Sequence, residues 1–380
     1  MLDMDALSGY TEKLFGQLKA FHDAGVDVNI ISLSPGPCVI LTRPNKDDPI
    51  REVLTRFKPF PFNNRIQIYI AAAKYILGKK PDLIYIRHFL TDPFFIIFLL
   101  CIKLTRRRII ILSEVPTYPY DHIGEFNVDL KSRILLSQDK IFRKLLRYFY
   151  SRIVSIGYSG DIFRVKTISI GNGIDADSYK INNNLHNSSS RLRIIGVGHL
   201  KDYHGYDRLI ETVKRSLASD NQTPPIEFHI VSPTTPALIR LRHEVDRASL
   251  GSYIIFHGEK VGIELDKVFE QCHLAIASLA WHRVKVERHS NLKTREYMAR
   301  GIPFLYAGTD DQLPHDFKYA CKVALDETPI SVDQLFKFAK SVLLDENRSA
   351  NMRSFARQNM SWSVALTPVI EYLKSERERE

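Results

Sequence analysis

The sequence predicts an α/β protein built from two doubly wound domains, each a parallel sheet covered by helices. Three observations predict it. Short β-branched runs alternate with longer helical patterns from end to end. A polar stretch, residues 181–190 (INNNLHNSSS), interrupts that alternation, which then restarts. Finally, 380 residues exceed what one small core organises.

In order along the first half, a helix running to His22 follows the loop Leu7–Thr11, and strand-like runs lie at Val26–Leu33, Leu83–Ile86, Ile109–Leu112, Ile153–Ile156 and Thr167–Ile170. A loop of that kind normally follows a first, central strand, which Met1–Ala6 does not supply. Either the start lies upstream of Met1, or the first domain lacks its first strand. The apolar run Pro93–Ile102 is about half of what a bilayer requires and reads as a buried helix. In the second half, strand-like runs lie at Leu192–Gly198, Ile226–Val231, Tyr253–His257, Leu274–Ser278, Phe304–Tyr306 and Cys321–Leu325. The expected organisation is a first domain over 1–180, a linker over 181–190 and a second domain over 191–360. A terminal helix over 361–380 is expected to return to the first domain.

Composition narrows the function. Hydrophobic residues at 44% and charged residues at 25% are ordinary for a soluble globular chain. Cys38, Cys101, Cys272 and Cys321 are far apart and lack metal-ligand spacing, so neither zinc nor disulfides are implied and a reducing, cytoplasmic setting is expected. Met1–Asp5 is acidic and no apolar core follows it, so no signal peptide is read. Residues 1–180 hold 26 basic against 18 acidic residues, or +8 of the net +10. Arg106–Arg108 and Lys140, Arg143, Lys144 and Arg147, interleaved with apolar residues, suggest a basic helix suited to an anionic membrane surface, and an ordinary domain helix with a charged outer face explains the same pattern, since core packing also requires the apolar stripe. No nucleic-acid-binding module accompanies the charge.

The most informative stretch is Ser290–Pro303, which ends a strand-like run, opens a helix and closes it with Gly301-Ile302-Pro303. A helix start offers unpaired amides and partial positive charge, so Asn291 and Leu292 are candidates to hold phosphate, with Lys293 adding a full charge. Glu296, one turn on, is placed to accept ribose hydroxyls. In the first half, Tyr85-Ile86-Arg87-His88 and Ser113-Glu114-Val115 end strands at the edge where open parallel sheets bind ligands, making Arg87, His88 and Glu114 catalytic candidates. Gly9, with no Cβ, permits close approach of a ligand to a helix start. His257-Gly258-Glu259 is a further candidate near a nucleotide base, and an ordinary strand-to-helix turn explains it equally well.

Four segments together resemble the retaining nucleotide-sugar glycosyltransferases of GT-B architecture (group 1, glycosyltransferase family 4-like). They are Ser8-Gly9 with Leu14, Leu18 and Ala24–Val28; Gly171-Asn172-Gly173-Ile174-Asp175; Val197–Leu200 with His204–Glu211; and Glu296 with Gly301-Ile302-Pro303. Ser361-Trp362-Ser363 before the last helix fits the same pattern. The resemblance implies two Rossmann-like domains facing a cleft, a nucleotide-sugar donor on the second, no metal or other cofactor, and an acceptor on the first. Two departures stand out. His199 and His204 occupy positions where the family carries Arg and Lys, which Lys201 and Lys293 would compensate, and Arg288 stands where the family's first acidic residue is expected. The function expected is hexosyl transfer to a lipid-linked saccharide or polysaccharide in surface polysaccharide assembly, peripheral to the inner face of the plasma membrane. A GT-B nucleotide-sugar epimerase and a noncatalytic nucleotide-sugar-binding subunit are the alternatives. A nicotinamide dehydrogenase is disfavoured because no G-x-G-x-x-G follows an early strand.

Overall fold

The computed structural model describes residues 9–34, 38–43, 50–58, 63–121, 130–182, 191–218 and 224–379. The chain forms two units, Met1–Gly171 with Trp362–Glu380, and Asn172–Ser361. The division falls at the Gly171–Asn172 turn, ahead of the polar stretch; residues 183–190 of that stretch, and Leu7 and Ser8, lie outside the described residues.

The first unit contains α1 (Gly9–Asp23), β1 (Ile30–Ser34), β2 (Cys38–Arg43), β3 (Ile50–Arg56), α2 (Asn63–Lys79), β4 (Leu83–Arg87), α3 (Pro93–Thr105), β5 (Ile110–Val115), α4 (Leu130–Phe142), a 3₁₀ turn (Arg143–Tyr148), β6 (Arg152–Ile156), β7 (Asp161–Ile162) and β8 (Val165–Ile170). Strands β4, β5, β6 and β8 form a parallel sheet in that order, with β7 antiparallel at one edge. Side chains alternate across it, as the period of two requires. Ile111, Val115 and Ile153 pack with α2, α3 and α4, whereas Leu112, Val154 and Ile170 pack on the opposite face against α1 and the terminal helix.

Three expectations are corrected here. The Val26–Leu33 run does not join the parallel sheet: β1 pairs antiparallel with β2, and β2 with β3, in a separate three-stranded sheet. Among the described residues β4 therefore has one sheet neighbour, β5. The Pro93–Ile102 helix is buried on one face only, through Phe95, Phe98, Leu99 and Ile102. The basic segment 140–147 is not one helix, since the α-helix ends at Phe142 and Arg143 is drawn into ion pairs with Asp121 and Asp139.

The second unit contains β9 (Leu192–Val197), α5 (Tyr206–Ala218), β10 (Ile226–Val231), α6 (Pro236–Arg247), β11 (Ile254–Gly258), α7 (Gly262–Phe269), β12 (Leu274–Ile276), α8 (Leu292–Arg300), β13 (Phe304–Ala307), β14 (Ala320–Val323), α9 (Val332–Leu343) and α10 (Arg348–Asn359). Its six described strands are all parallel, in the order β11-β10-β9-β12-β13-β14. From β9 the chain builds outward through β10 and β11, then returns to the other side of β9 with β12. The strand order thus reverses between β9 and β12, the switch point where such sheets bind ligands. Gly301 caps α8 with φ 70°, and a Cβ there would lie 2.5 Å from Ser349 Cα, so glycine is what lets α10 pack against that helix end. Helix α11 (Trp362–Arg377) closes the chain and packs on the first unit through Trp362, Leu366 and Val369.

Candidate functional site

Lys293 occupies the first turn of α8, beside the switch point. Asn291 caps the helix: its Oδ1 accepts from the Lys293 amide at 3.0 Å, and its Nδ2 donates to Ser278 Oγ at 3.1 Å, just beyond β12. The cap fixes the helix start against the sheet edge. The Lys293 side chain crosses Gly198 at the end of β9, and its Nζ stands 5.6 Å from the Tyr206 ring centre. That Nζ is buried and has no hydrogen-bond partner among the described residues. Burial lowers its pKa to about 7, with nearby Glu296 acting in the opposite direction. An unpaired buried ammonium is costly, and burial accordingly favours the neutral amine unless an anion is present to pair with the charge.

The helix start is itself held from below. Arg295, fully buried, pairs through both terminal nitrogens with Asp310, donates to Ser290 Oγ at 2.7 Å and donates to the Asn172 carbonyl at 3.2 Å. Asn172 in turn donates its amide to Ser290 Oγ and its side chain to the Ser290 carbonyl. The Asn172 turn, the loop before α8 and the strand end after β13 are thereby locked into one polar cluster.

Glu296 lies on α8 one turn from Lys293 and accepts from Arg300 Nε at 2.8 Å. Arg300 also donates to Asp266 at 2.6 Å and lies over the Phe269 ring. His199 is exposed after β9, and Lys201 is partly buried in the same loop. His204 does not act there as a cation. Burial first, then the Lys293 charge, pushes its pKa well below the usual imidazole value, and its Nδ1 accepts from the Lys201 amide at 2.8 Å. It is a neutral residue closing a turn. Arg288 is exposed and paired with Asp311. His257 contacts His229 Nδ1 through Nε2 at 2.9 Å, and Gly258 ends β11.

In the first unit, Glu114 on β5 is register partner of Arg87 on β4. Its carboxylate meets Lys13 at 2.9 Å, Arg87 at 3.4 Å, Gln17 at 2.7 Å and the Tyr85 hydroxyl at 2.9 Å. Burial alone would raise its pKa, but the charges of Lys13 and Arg87 and the hydrogen bonds from Lys13 and Gln17 outweigh that and hold it at about 2. A carboxylate so held orients its neighbours and has no proton to give near neutrality. Gly9 is the first residue of α1, one turn before Lys13. His88 joins a different cluster on the other side of β4. Its Nε2 is 3.2 Å from the Tyr120 hydroxyl, which donates to Asp139 at 2.7 Å, so Nε2 carries the proton. Its Nδ1 is buried without a hydrogen-bond partner among the described residues, and burial brings its pKa to about 4.

The structure therefore gathers Asn291, Leu292, Lys293 and Gly198 at one edge of the second sheet, and Arg87 with Glu114 at one edge of the first. Sequence reasoning missed Lys13, Gln17, Asp310 and Asp139. Arg295 carried a signal: a charged residue on the same helical stripe as Met298, which faces the core.

No protein-family model and no curated protein matches the sequence. Solved structures do match in fold. Sucrose-phosphate synthase (tll1590) from Thermosynechococcus elongatus aligns at 12% identity and TM-score 0.63, over 98% of this chain and 94% of that one. The catalytic domain of starch synthase IV from Arabidopsis thaliana, bound to ADP and acarbose, aligns at 13% and 0.60, over 98% and 96%. Anabaena Alr3699/HepE, in complex with UDP and glucose, aligns at 15% and 0.53, over 84% of each chain. The chain has the α/β fold of these GT-B glycosyltransferases, two Rossmann-like units in one polypeptide.

Proposed function

We propose that the chain transfers a glycosyl group from a nucleotide-diphosphate sugar to a lipid-linked or polysaccharide acceptor. The observation that carries the proposal is the buried, unpartnered Nζ of Lys293 at the switch point of the second sheet, beside a helix start. As the glycosidic bond to the donor breaks, negative charge grows on the leaving diphosphate, and a preorganised cation in a dry site is the group that stabilises it. Lys293 is that cation, the first turn of α8 adds its dipole, and Glu296 takes the ribose. In the first unit Arg87, held by Glu114, and His88, a neutral acceptor through Nδ1, orient the reacting sugar or the acceptor. Fold neighbours crystallised with UDP or ADP support the ligand class. Retention of configuration, independence of metal and a role in surface polysaccharide assembly rest on the sequence resemblance alone.

The acceptor side is proposed to work at the cytoplasmic face of an anionic membrane, supported by the +8 balance of residues 1–180. No described helix is long and apolar enough to cross a membrane. Calorimetry and transfer assays with UDP-, GDP- and ADP-sugars, with and without a lipid-linked acceptor, test the whole reading. Transfer only with acceptor is the expected result. Failure of every donor to bind overturns it. Arg288, paired with Asp311 where the resemblance expects an acid, favours one second reading, a noncatalytic binding subunit. Tight binding without turnover in any acceptor would select that reading, whereas donor interconversion without acceptor would select an epimerase.

A further inference from the structure

Helix α3 is apolar on every side, yet only half of it is covered. Phe95, Phe98, Leu99 and Ile102 enter the core, while Phe94, Ile97, Leu100 and Leu104 are exposed by 48%, 55%, 45% and 66%. These four form a stripe about 15 Å long at helical spacing. A water-facing helix of a globular domain normally carries charge there, and a contiguous apolar stripe marks a surface that meets something.

The charges around it identify the partner. Helix α4 and the 3₁₀ turn after it pack on the same core as α3, hence on the same face of the sheet. Across Phe89–Arg108 and the described residues of Leu130–Tyr148, the exposed charges are Arg107, Arg108, Arg133, Lys140, Lys144 and Arg147, all positive. The two acids of these segments, Asp92 and Asp139, are buried and hydrogen-bonded within the fold. Ile134 and Ile141 stand exposed among the basic residues. An apolar stripe on the same sheet face as these cations, with no exposed acid among the described residues of the two segments, complements a surface of anionic headgroups over acyl chains.

We propose that the outer face of α3 inserts into the headgroup boundary of an anionic membrane, with the basic residues of α4 and the 3₁₀ turn lying on the phosphates beside it. The inference rests on the reading of a membrane-side acceptor and names the surface that would bring the enzyme to it. Insertion by α3 gives binding a part that salt does not screen, because apolar burial is indifferent to ionic strength over distances where exposed charges are attenuated.

Sedimentation with phosphatidylcholine vesicles, with and without phosphatidylglycerol, tests it on the full chain. Wild type should bind the anionic vesicles at low salt and retain measurable binding at high salt. Replacing Lys140, Lys144 and Arg147 together by Gln should weaken low-salt binding about a hundredfold. Replacing Ile97, Leu100 and Leu104 by Ser should remove the high-salt remainder and leave the charge-dependent part. Ile97→Trp should be quenched by brominated acyl chains, whereas Ile239→Trp, an exposed site on the second unit, should not. Vesicle binding without quenching at position 97 overturns insertion by α3 while leaving membrane recruitment standing. No vesicle binding overturns both. A concentration-dependent dimer that Ile97→Asp dissociates identifies a second copy as the occupant and overturns the proposal. Donor binding is measured in parallel without lipid, so loss of the glycosyltransferase reading is seen independently.

Discussion

Lys293 lies directly across Gly198: a Cβ built on Gly198 would stand 2.8 Å from Lys293 Cε and 3.1 Å from its Nζ. Gly198 also has φ 130°, a conformation that L side chains rarely adopt. The end of β9 and the first turn of α8 are thus mutually shaped, one giving up a side chain so that the other places a cation over it.

Gly198→Ala should therefore displace the Lys293 ammonium and weaken binding of a nucleotide sugar. Lys293→Met should do the same, and the loss should be larger for the diphosphate ligand than for the nucleoside, since only the diphosphate has charge to pair. With charge-assisted hydrogen bonds contributing roughly 1.5–3 kcal/mol, a loss of about ten- to a hundredfold is expected by calorimetry. An equal loss for nucleoside and nucleotide sugar would assign Lys293 a purely structural role.

The same lysine predicts a pH dependence. Its pKa in the empty protein is held near 7 by burial, so the ammonium is partly discharged at neutrality. A bound diphosphate favours the charged form and raises that pKa. Affinity should then be level below about pH 7 and should fall as pH rises from there to the pKa of the complex, with proton uptake on binding. A nucleotide sugar is the ligand to use, because its diphosphate is esterified at both ends and does not titrate in this window. Calorimetry in buffers of different ionisation enthalpy reads the uptake directly, and a flat profile from pH 6 to about 9 contradicts the assignment.

Below Lys293, the Arg295–Asp310 pair is buried and carries the loop before α8. Removing one partner leaves an uncompensated buried charge, which costs about 3–5 kcal/mol. Asp310→Asn should accordingly lower the melting temperature by about 6–20 °C, using the usual range for a unit of this size. Because Arg295 also holds Asn172 and Ser290, donor affinity of the folded fraction should fall too. The paired replacement of both residues by apolar ones of similar volume should recover much of the melting temperature and none of the affinity. Recovery of both would separate the pair from the site.

The contrast between Lys293 and Asp310 shows what the sequence makes legible. The helix start that carries Lys293 is readable because its signals are local: a cap at Asn291, a helix start and a glycine-terminated end all lie within twelve residues. The strands of the second unit are readable for the same reason, as apolar runs between polar turns. Asp310 meets Arg295 only once β13 returns the chain to the sheet edge, and Lys13 meets Glu114 across a hundred residues, so no local pattern announces either. Pairing direction is equally nonlocal. Ile30–Ser34 has the composition of any strand, and its antiparallel partner Cys38–Arg43 opens on an uninterrupted apolar run like that of a parallel strand in a buried sheet. For His204 the sequence gives the residue type, and burial decides its charge.

Glu296 gives the last prediction. Its carboxylate accepts from Arg300, whose guanidinium also meets Asp266, so a simple truncation disturbs a partly buried ion network along with any ligand contact. Glu296→Gln keeps an amide oxygen for Arg300 and removes the charge that would accept ribose hydroxyls. If Glu296 binds ribose, the Gln variant should bind a nucleoside diphosphate about tenfold more weakly or worse, corresponding to the roughly 1.5–3 kcal/mol of a charged acceptor. Binding of pyrophosphate, which has no ribose, should change far less, and transfer should fall with nucleotide affinity. Melting temperature provides the control, because a purely structural Glu296 would lower stability in the Gln variant while leaving the ratio of nucleotide to pyrophosphate affinity where it was. That outcome would leave Lys293 as the anion site and move the ribose elsewhere on the sheet edge.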